Sequence, residues 1–319
     1  MKDWWRATFP QGRQTVTITD ANGHPVKIAY GEKGTGKPLF LVHGVASWSY
    51  NWRYLVDTLA QHFRVICFDA KGHGFSEKPL HPETLGHQAV ELERIMRRLC
   101  DEPAVVVAQS LGALVTLATA QNNPELFSEL VVINVPIFLK KLPFWGMQLL
   151  ADLPLDLVRI ADDMRLTKLF APLMRQIVAV GRREVVSDPA QITAEEVYWI
   201  TYPYIEFPNA LTKTAEDLQH AAREIQFLVQ NQPNLIRNVQ DKLSAIATPT
   251  LILWGAQDQW FPFQDGEKLH AHLPGSKFQI IPNCGHDAAA NCPDEIYSAI
   301  LEFCRTSPPI SLGTSKEGV

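Results

Sequence analysis

The stretch Ala104–Val115, AVVVAQSLGALV, constrains this chain more than any other. Five apolar residues, three of them valine, run into Gln109 and Ser110, and an apolar helix-compatible segment follows at once. A short, continuous apolar run suits a strand buried on both faces, and such strands belong to sheets packed between helices. The turn must be tight, and the small residues Ala108 and Gly112 flank Ser110 two positions away on each side. A serine on such a turn is lifted off the sheet, with a helix N-terminus beneath it to favour developing negative charge. The usual pattern is G-x-S-x-G, and alanine holds the first glycine position here. An ordinary strand–turn–helix with a surface serine has the same local pattern, so the rest of the chain must decide.

At 319 residues the chain can form one large α/β domain, or a domain with a sizeable insertion. A formal net charge of −5 gives no general attraction to nucleic acid or to an anionic membrane, so no nucleic-acid partner is expected. The five cysteines (Cys67, Cys100, Cys284, Cys292, Cys304) lack C-x-x-C spacing. They read as reduced thiols of a cytoplasmic protein, not as a disulfide framework or a zinc site. Met1–Gly12 lacks the apolar core of a secretory leader, and no apolar run approaches the ~20 residues that span a bilayer. Residues 307–319, rich in Ser, Pro and Gly, read as a disordered tail.

Gln14–Asp20 alternates β-branched residues, and Asn22-Gly23 supplies a turn before Pro25–Tyr30, which predicts an edge hairpin. Pro38–Val42 is a fully apolar strand ending in His43-Gly44, and a helical pattern covers Trp52–His62. Arg64–Phe68 is a further buried strand, ending at Asp69 and the glycine-rich loop Lys71–Ser76. The amphipathic segment His81–Cys100 then leads to the serine strand, and Glu129–Asn134 makes another strand. From Val135 to about Ile246 only helical patterns occur, broken by prolines. Alternation resumes with the strand Thr250–Trp254, a helix near Gly266–His272, the strand Lys277–Ile281 and a closing helix around Asp294–Cys304. The pattern predicts an α/β core of residues 1–135 and 245–306 around a mostly parallel sheet, interrupted by a helical insertion over 136–244.

A serine hydroxyl is a poor nucleophile at neutral pH and needs a base, usually histidine. His286 lies in Asn283-Cys284-Gly285-His286-Asp287, directly after the last apolar strand. Strand carboxyl ends gather at one edge of an open α/β sheet, so this turn can face Ser110. The base in turn needs a carboxylate to hold its tautomer. Asp258 follows the preceding strand, whereas Asn134-Val135-Pro136 offers no carboxylate after the strand before that. Asp287 adjoins His286 too closely to orient its ring easily. Each of these residues alone has an ordinary structural explanation; Asp258, for instance, could be a turn or N-cap residue. Ser110, Asp258 and His286, each after a separate strand, form a joint pattern much rarer by chance. An oxyanion would find backbone N–H donors at Leu111 and, in the glycine-permitted loop after Pro38–Val42, at Val45. His43 and Asp69 read as loop-bracing residues.

The chain resembles the α/β-hydrolase superfamily, in its cap-bearing branch of esterases, carbon–carbon hydrolases, epoxide hydrolases and haloalkane dehalogenases. The resemblance rests on His43-Gly44, Asp69–Ser76, Ala108–Gly112, Trp254–Asp258 and Gly285-His286, and covers roughly residues 25–135 and 245–305. Epoxide hydrolases and haloalkane dehalogenases are also similar around Ser47–Arg53, but they use an aspartate nucleophile where this chain has Ser110. The resemblance therefore implies a serine hydrolase with no cofactor and no metal, acting on a carboxylic ester of a hydrophobic small molecule or lipid through an acyl-enzyme. Carbon–carbon hydrolysis of a ring-fission product uses the same three residues, and a slow-turnover receptor on the same fold is a further alternative.

Residues 136–244 would cover the site as a cap. Most of its aromatics suit packing of the cap on the core. Trp199 and Tyr202, with Trp48 and Gln109 from the core, are candidate substrate-binding residues. An apolar cap face beside Lys140 and Lys141 could contact a membrane peripherally, which the net charge does not favour. Oligomeric state is not legible.

Overall fold

The computed structural model describes residues 3–306, so the tail expected over 307–319 lies outside the described residues. Eight strands form one sheet: β1 (Gln14–Thr19), β2 (Pro25–Lys33), β3 (Pro38–Val42), β4 (Arg64–Phe68), β5 (Ala104–Gln109), β6 (Phe127–Ile133), β7 (Thr250–Gly255) and β8 (Lys277–Ile281). Their spatial order is β1-β2-β4-β3-β5-β6-β7-β8. β2 pairs antiparallel with β1 and β4, and every other pairing is parallel. This is the α/β-hydrolase architecture, with a mostly parallel sheet and helices on both faces.

The apolar runs dictate the burial. Every residue of β3, β5 and β7 is buried, as strands covered on both faces must be. Successive residues serve opposite faces. Val106, Ala108, Val132 and Ile252 pack with the helices Leu85–Leu99 and Leu111–Asn122. Val105, Val107, Val131 and Leu253 face the closing helix Pro293–Thr306 through Ile296, Ile300 and Phe303. The edge strand β1 instead alternates buried and open positions.

Two local readings change. The predicted helix Trp52–His62 is a 3₁₀ turn, Ser49–Trp52, followed by a single helical turn, Val56–Leu59. Its apolar face is still buried at Trp52, Leu55, Val56 and Leu59. The chain ends that turn early because the β2–β3 connection passes directly over it: a Cβ on Gly34 would lie 2.4 Å from the Ala60 carbonyl and 2.3 Å from that of Phe63. The second change is an unforeseen short helix, Trp4–Thr8, capped by the Asp3 side chain. It buries Trp4 and Trp5 against Phe9, Trp48 and Tyr50.

Parallel register brings the ends of β3, β5, β6, β7 and β8 to one edge. Val42 is level with Ala108, Gln109 with Ile133, Ile133 with Leu253, and Gly255 with Ile281. Between β6 and β7 the described chain is helical, with longer helices at Trp145–Asp152, Leu155–Asp163, Ala171–Val185, Ala194–Glu206 and Ala210–Val229.

Candidate active site

Ser110 sits between β5 and the helix Leu111–Asn122 with φ 55° and ψ −129°, a conformation that L residues rarely adopt. Such strain costs about 1–3 kcal/mol and persists only where the surroundings over-determine it. The constraints are specific. The Ser110 N–H donates to the Ile133 carbonyl at 2.9 Å, and the Ser110 carbonyl accepts from Ala113 N–H at 2.9 Å. A Cβ on Gly112 would lie 2.3 Å from the His43 carbonyl oxygen, so that position must be glycine. Ala108 is different: its methyl group is wholly buried in the sheet core, which explains why alanine fits the first glycine position of the motif.

The Ser110 hydroxyl reaches His286 Nε2 at 3.0 Å, and His286 Nδ1 reaches Asp258 Oδ2 at 2.8 Å. Asp258 Oδ1 accepts from the Trp260 and Phe261 N–H groups at 2.8 and 3.0 Å. Its side chain is fully buried, so the carboxylate is aimed by three donors and cannot swing away. Trp260 and Phe261 also hold the imidazole ring, with centroids 4.7 and 5.0 Å from it. The three residues named from sequence are therefore brought together in hydrogen-bonding order.

Leu111 is the first residue of its helix, so its N–H has no intrahelical acceptor. Val45 lines the same cavity as Ser110. His43 braces the loop before it. The Ala70 N–H donates to His43 Nε2 at 3.0 Å, which leaves Nδ1 protonated to donate to the Gly44 carbonyl at 2.8 Å. Burial, with His73 nearby, holds the His43 pKa down at about 3, so the ring is neutral. Asp69 braces the other side: it accepts from Ser49 N–H at 2.8 Å and from Phe75 N–H at 2.7 Å.

Over Ser110 lies a cavity of about 290 Å³. Its walls are largely apolar, with Phe144, Met147, Leu150, Met174, Ile177 and Val178 coming from the helical insertion. Trp48 and Gln109 line it, while Trp199 and Tyr202 are not among its lining residues. The reason is helical phase. The face of Ala194–Glu206 that reaches the cavity carries Ile200, Thr201, Tyr204 and Ile205. Trp199 packs on Trp48 and Tyr50, and Tyr202 stacks on Phe75. Gln109 is largely committed elsewhere: its amide donates to Asp287 at 3.1 Å and accepts from Ala289 N–H at 3.2 Å.

Two sets of residues were not legible as site residues. Asn134, noted in the sequence only for lacking a carboxylate, ties three strand ends together. Its amide donates to the Gly285 and His286 carbonyls at 3.2 and 2.7 Å and accepts from Gly255 N–H at 2.9 Å. The second set is a buried ionic chain beneath the histidine loop. Arg182 pairs with Asp287 and, at 2.6 Å, with Glu196, which also binds Arg53 at 2.9 Å. Burial raises the Asp287 pKa, but Arg182 and Arg53 more than reverse this and leave it below the ordinary carboxylate value. The Val185 carbonyl also accepts from Asp287 N–H at 2.9 Å. Only their wide separation in sequence hid this contact between insertion and histidine loop.

Among the described residues, one group has metal-ligand spacing: Asp20, His81 and Glu83. Lys71 already supplies a cation there, 3.3 Å from Asp20 and 2.8 Å from Glu83. No described helix is long and apolar enough to cross a membrane.

Comparison with known proteins agrees with this architecture. The chain is 26% identical over 297 residues to a 2-hydroxy-6-oxononadienedioate/2-hydroxy-6-oxononatrienedioate hydrolase of Comamonas testosteroni, covering 90% of this chain and 94% of that protein. It is 24% identical over 307 residues to epoxide hydrolase 4 of Mus musculus, covering 91% and 79%. A thermophilic esterase from Thermogutta terrifontis shares the fold, with a TM-score of 0.68 and 23% identity over 92% of this chain and 98% of that one. The family model for the alpha/beta hydrolase fold matches residues 37–290, and the chain belongs to that family.

Proposed function

We propose that the protein is a serine hydrolase that cleaves a carboxylic ester of a hydrophobic small molecule or lipid, with the helical insertion as its cap. The observation that carries this reading is the relay Ser110–His286–Asp258, spaced 3.0 and 2.8 Å, beneath a mainly apolar cavity. Ser110 Oγ attacks the ester carbonyl carbon while His286 Nε2 takes its proton. Asp258 stabilises the imidazolium. The carbonyl electron pair moves onto oxygen, where the Leu111 and Val45 N–H groups receive it. Collapse of the intermediate breaks the carbon–oxygen bond, and His286 returns its proton to the departing alcohol. Water, deprotonated by the same histidine, then cleaves the acyl-enzyme to the acid.

The similarity to a dienedioate hydrolase supports a second reading, hydrolysis of a carbon–carbon bond with the same residues. The cavity favours the ester. A dioate brings a carboxylate at each end, and Arg182 is the one Lys or Arg among the lining residues described. Its guanidinium is already engaged by Glu196 and Asp287.

Hydrolysis of p-nitrophenyl esters of increasing acyl length tests the proposal, together with labelling by a fluorophosphonate. Ser110→Ala should abolish both, and longer acyl groups should be preferred over acetyl. Hydrolysis that survives Ser110→Ala overturns the reading, and turnover of a ring-fission product without ester cleavage selects the second.

A further inference from the structure

The helix Trp145–Asp152 contains no buried residue, although its sequence is WGMQLLAD. Met147 and Leu150 line the cavity, while Trp145, Leu149 and Leu153 stand in water, 38–55% exposed. The next helix, Leu155–Asp163, leaves Leu157 and Ile160 more than half exposed, as is Met164 just beyond it. The helix Ala171–Val185 repeats the two-sided pattern: Met174, Ile177 and Val178 line the cavity, and Leu173 and Val180 face water. Of the fifteen exposed large apolar residues described, ten fall within 145–180. A helix apolar on both faces is ordinarily covered on both, so the outer face has a missing partner.

Charge indicates which partner. The whole chain has 29 basic and 34 acidic residues, but 136–185 reverses the balance with eight Lys or Arg against five Asp or Glu. Lys140, Lys141 and Arg183 are exposed and take part in no ion pair among those described. The exposed apolar stripes therefore lie in a locally cationic stretch, the combination that seats a monotopic protein on an anionic lipid surface. The overall negative charge, which argues against a membrane, is located elsewhere in the chain. Two of the helices that carry these stripes also wall the cavity. Phe144 links them, because a Cβ on Gly146 would lie 2.5 Å from its ring and one on Gly181 3.0 Å.

We propose that the outer face of residues 145–180 docks on an anionic lipid bilayer. The proposal deepens the ester-hydrolase reading by naming the phase that supplies the substrate, and it can be tested independently of that reading. The full-length protein would be co-sedimented with vesicles of phosphatidylcholine, with and without phosphatidylglycerol. Binding should require the anionic lipid and weaken with salt. Replacing Leu149, Leu157 and Leu173 together by serine should weaken it about a thousandfold, at roughly tenfold per lost leucine side chain. K140E/K141E should remove most of the preference for phosphatidylglycerol. Both variants should hydrolyse a soluble short-chain ester as the wild type does, which also shows that they fold. Ser110→Ala should bind vesicles normally, so a failed hydrolase reading leaves this measurement intact. No vesicle binding by the wild type, or undiminished binding by the triple serine variant, overturns the proposal. A dimer that the serine substitutions disperse, without any vesicle binding, also overturns it and assigns the face to a second copy of the chain.

Discussion

Acidification below pH 6.5 should destabilise this protein through His43. In the folded state His43 Nε2 accepts the Ala70 N–H, so protonation there must break a buried hydrogen bond and place a charge near His73, whose ring centroid lies 5.4 Å away. Its folded pKa is about 3, chiefly through burial, against 6.5 when unfolded. Below pH 6.5 the unfolded chain therefore binds a proton that the folded chain refuses, and stability falls with pH until about 3. At 1.36 kcal/mol per unit, the loss is about 2 kcal/mol at pH 5 and about 4 kcal/mol by pH 3. Urea unfolding at pH 7.5, 6 and 5 would measure it, with His43→Gln as the comparison. Glutamine can still accept from Ala70 but does not titrate, and the histidines remote from position 43 cancel between the two proteins. The wild type should lose about 2 kcal/mol more than the variant between pH 7.5 and 5. Equal losses would refute the assignment of a buried neutral His43. The same ring holds the Gly44 carbonyl next to Val45, and because it stays neutral in the folded state down to about pH 3, that loop should keep its geometry in the folded protein over this range.

Two further substitutions test the supports of the site. Asp258→Asn keeps the shape but presents an amide where the imidazole N–H needs an acceptor, so kcat should fall roughly 10³–10⁴-fold with little change in the thermal midpoint. A drop below tenfold would show that another group orients His286. Arg182→Ala takes the cation from the buried Asp287 carboxylate, while Glu196 keeps Arg53, and should cost about 3–5 kcal/mol by urea unfolding. Asp287, now held low chiefly by Arg182 against burial, contributes stability that is full above the unfolded carboxylate pKa and lost as pH falls through its depressed folded value. Without Arg182 that contribution should vanish, and an unchanged acid limb would contradict it.

Sheet, order of elements and the relay were legible because each rests on a local signal. The apolar runs mark strands, and glycine or small residues mark the turns at their ends. Parallel register then forces Ser110, Asp258 and His286 to one edge. Signals of the wrong kind hid the rest. Nothing in the period of Ala194–Glu206 says which side meets a cavity and which meets Trp48, so Trp199 and Tyr202 looked equivalent to Ile200 and Tyr204. The Trp52–His62 pattern marks a buried face, but the close backbone crossing at Gly34 is a tertiary fact. Arg182, Glu196, Asp287 and Gln109 come from four separate elements, and no spacing rule joins them.

The two tasks proposed for the insertion are physically separable. Its helix Ala171–Val185 walls the cavity with Met174, Ile177 and Val178, yet its C-terminal end also braces the base. A Cβ on Gly285 would lie 2.4 Å from the Val185 carbonyl, and Asp287 N–H donates to that same oxygen. Substitutions at this end cannot alter the cavity without moving His286, so Arg182 variants should lose kcat as well as stability. The helix Trp145–Asp152 has no such tie to the histidine loop among the described hydrogen bonds; Trp145 packs on the cavity residue Phe144, whereas Leu149 is not among the residues that line the cavity. Changes at Leu149 should therefore leave turnover of a soluble ester intact and act only where substrate arrives from lipid. On the two proposals together, the outer face can change without disturbing the strained turn at Ser110 and its partners.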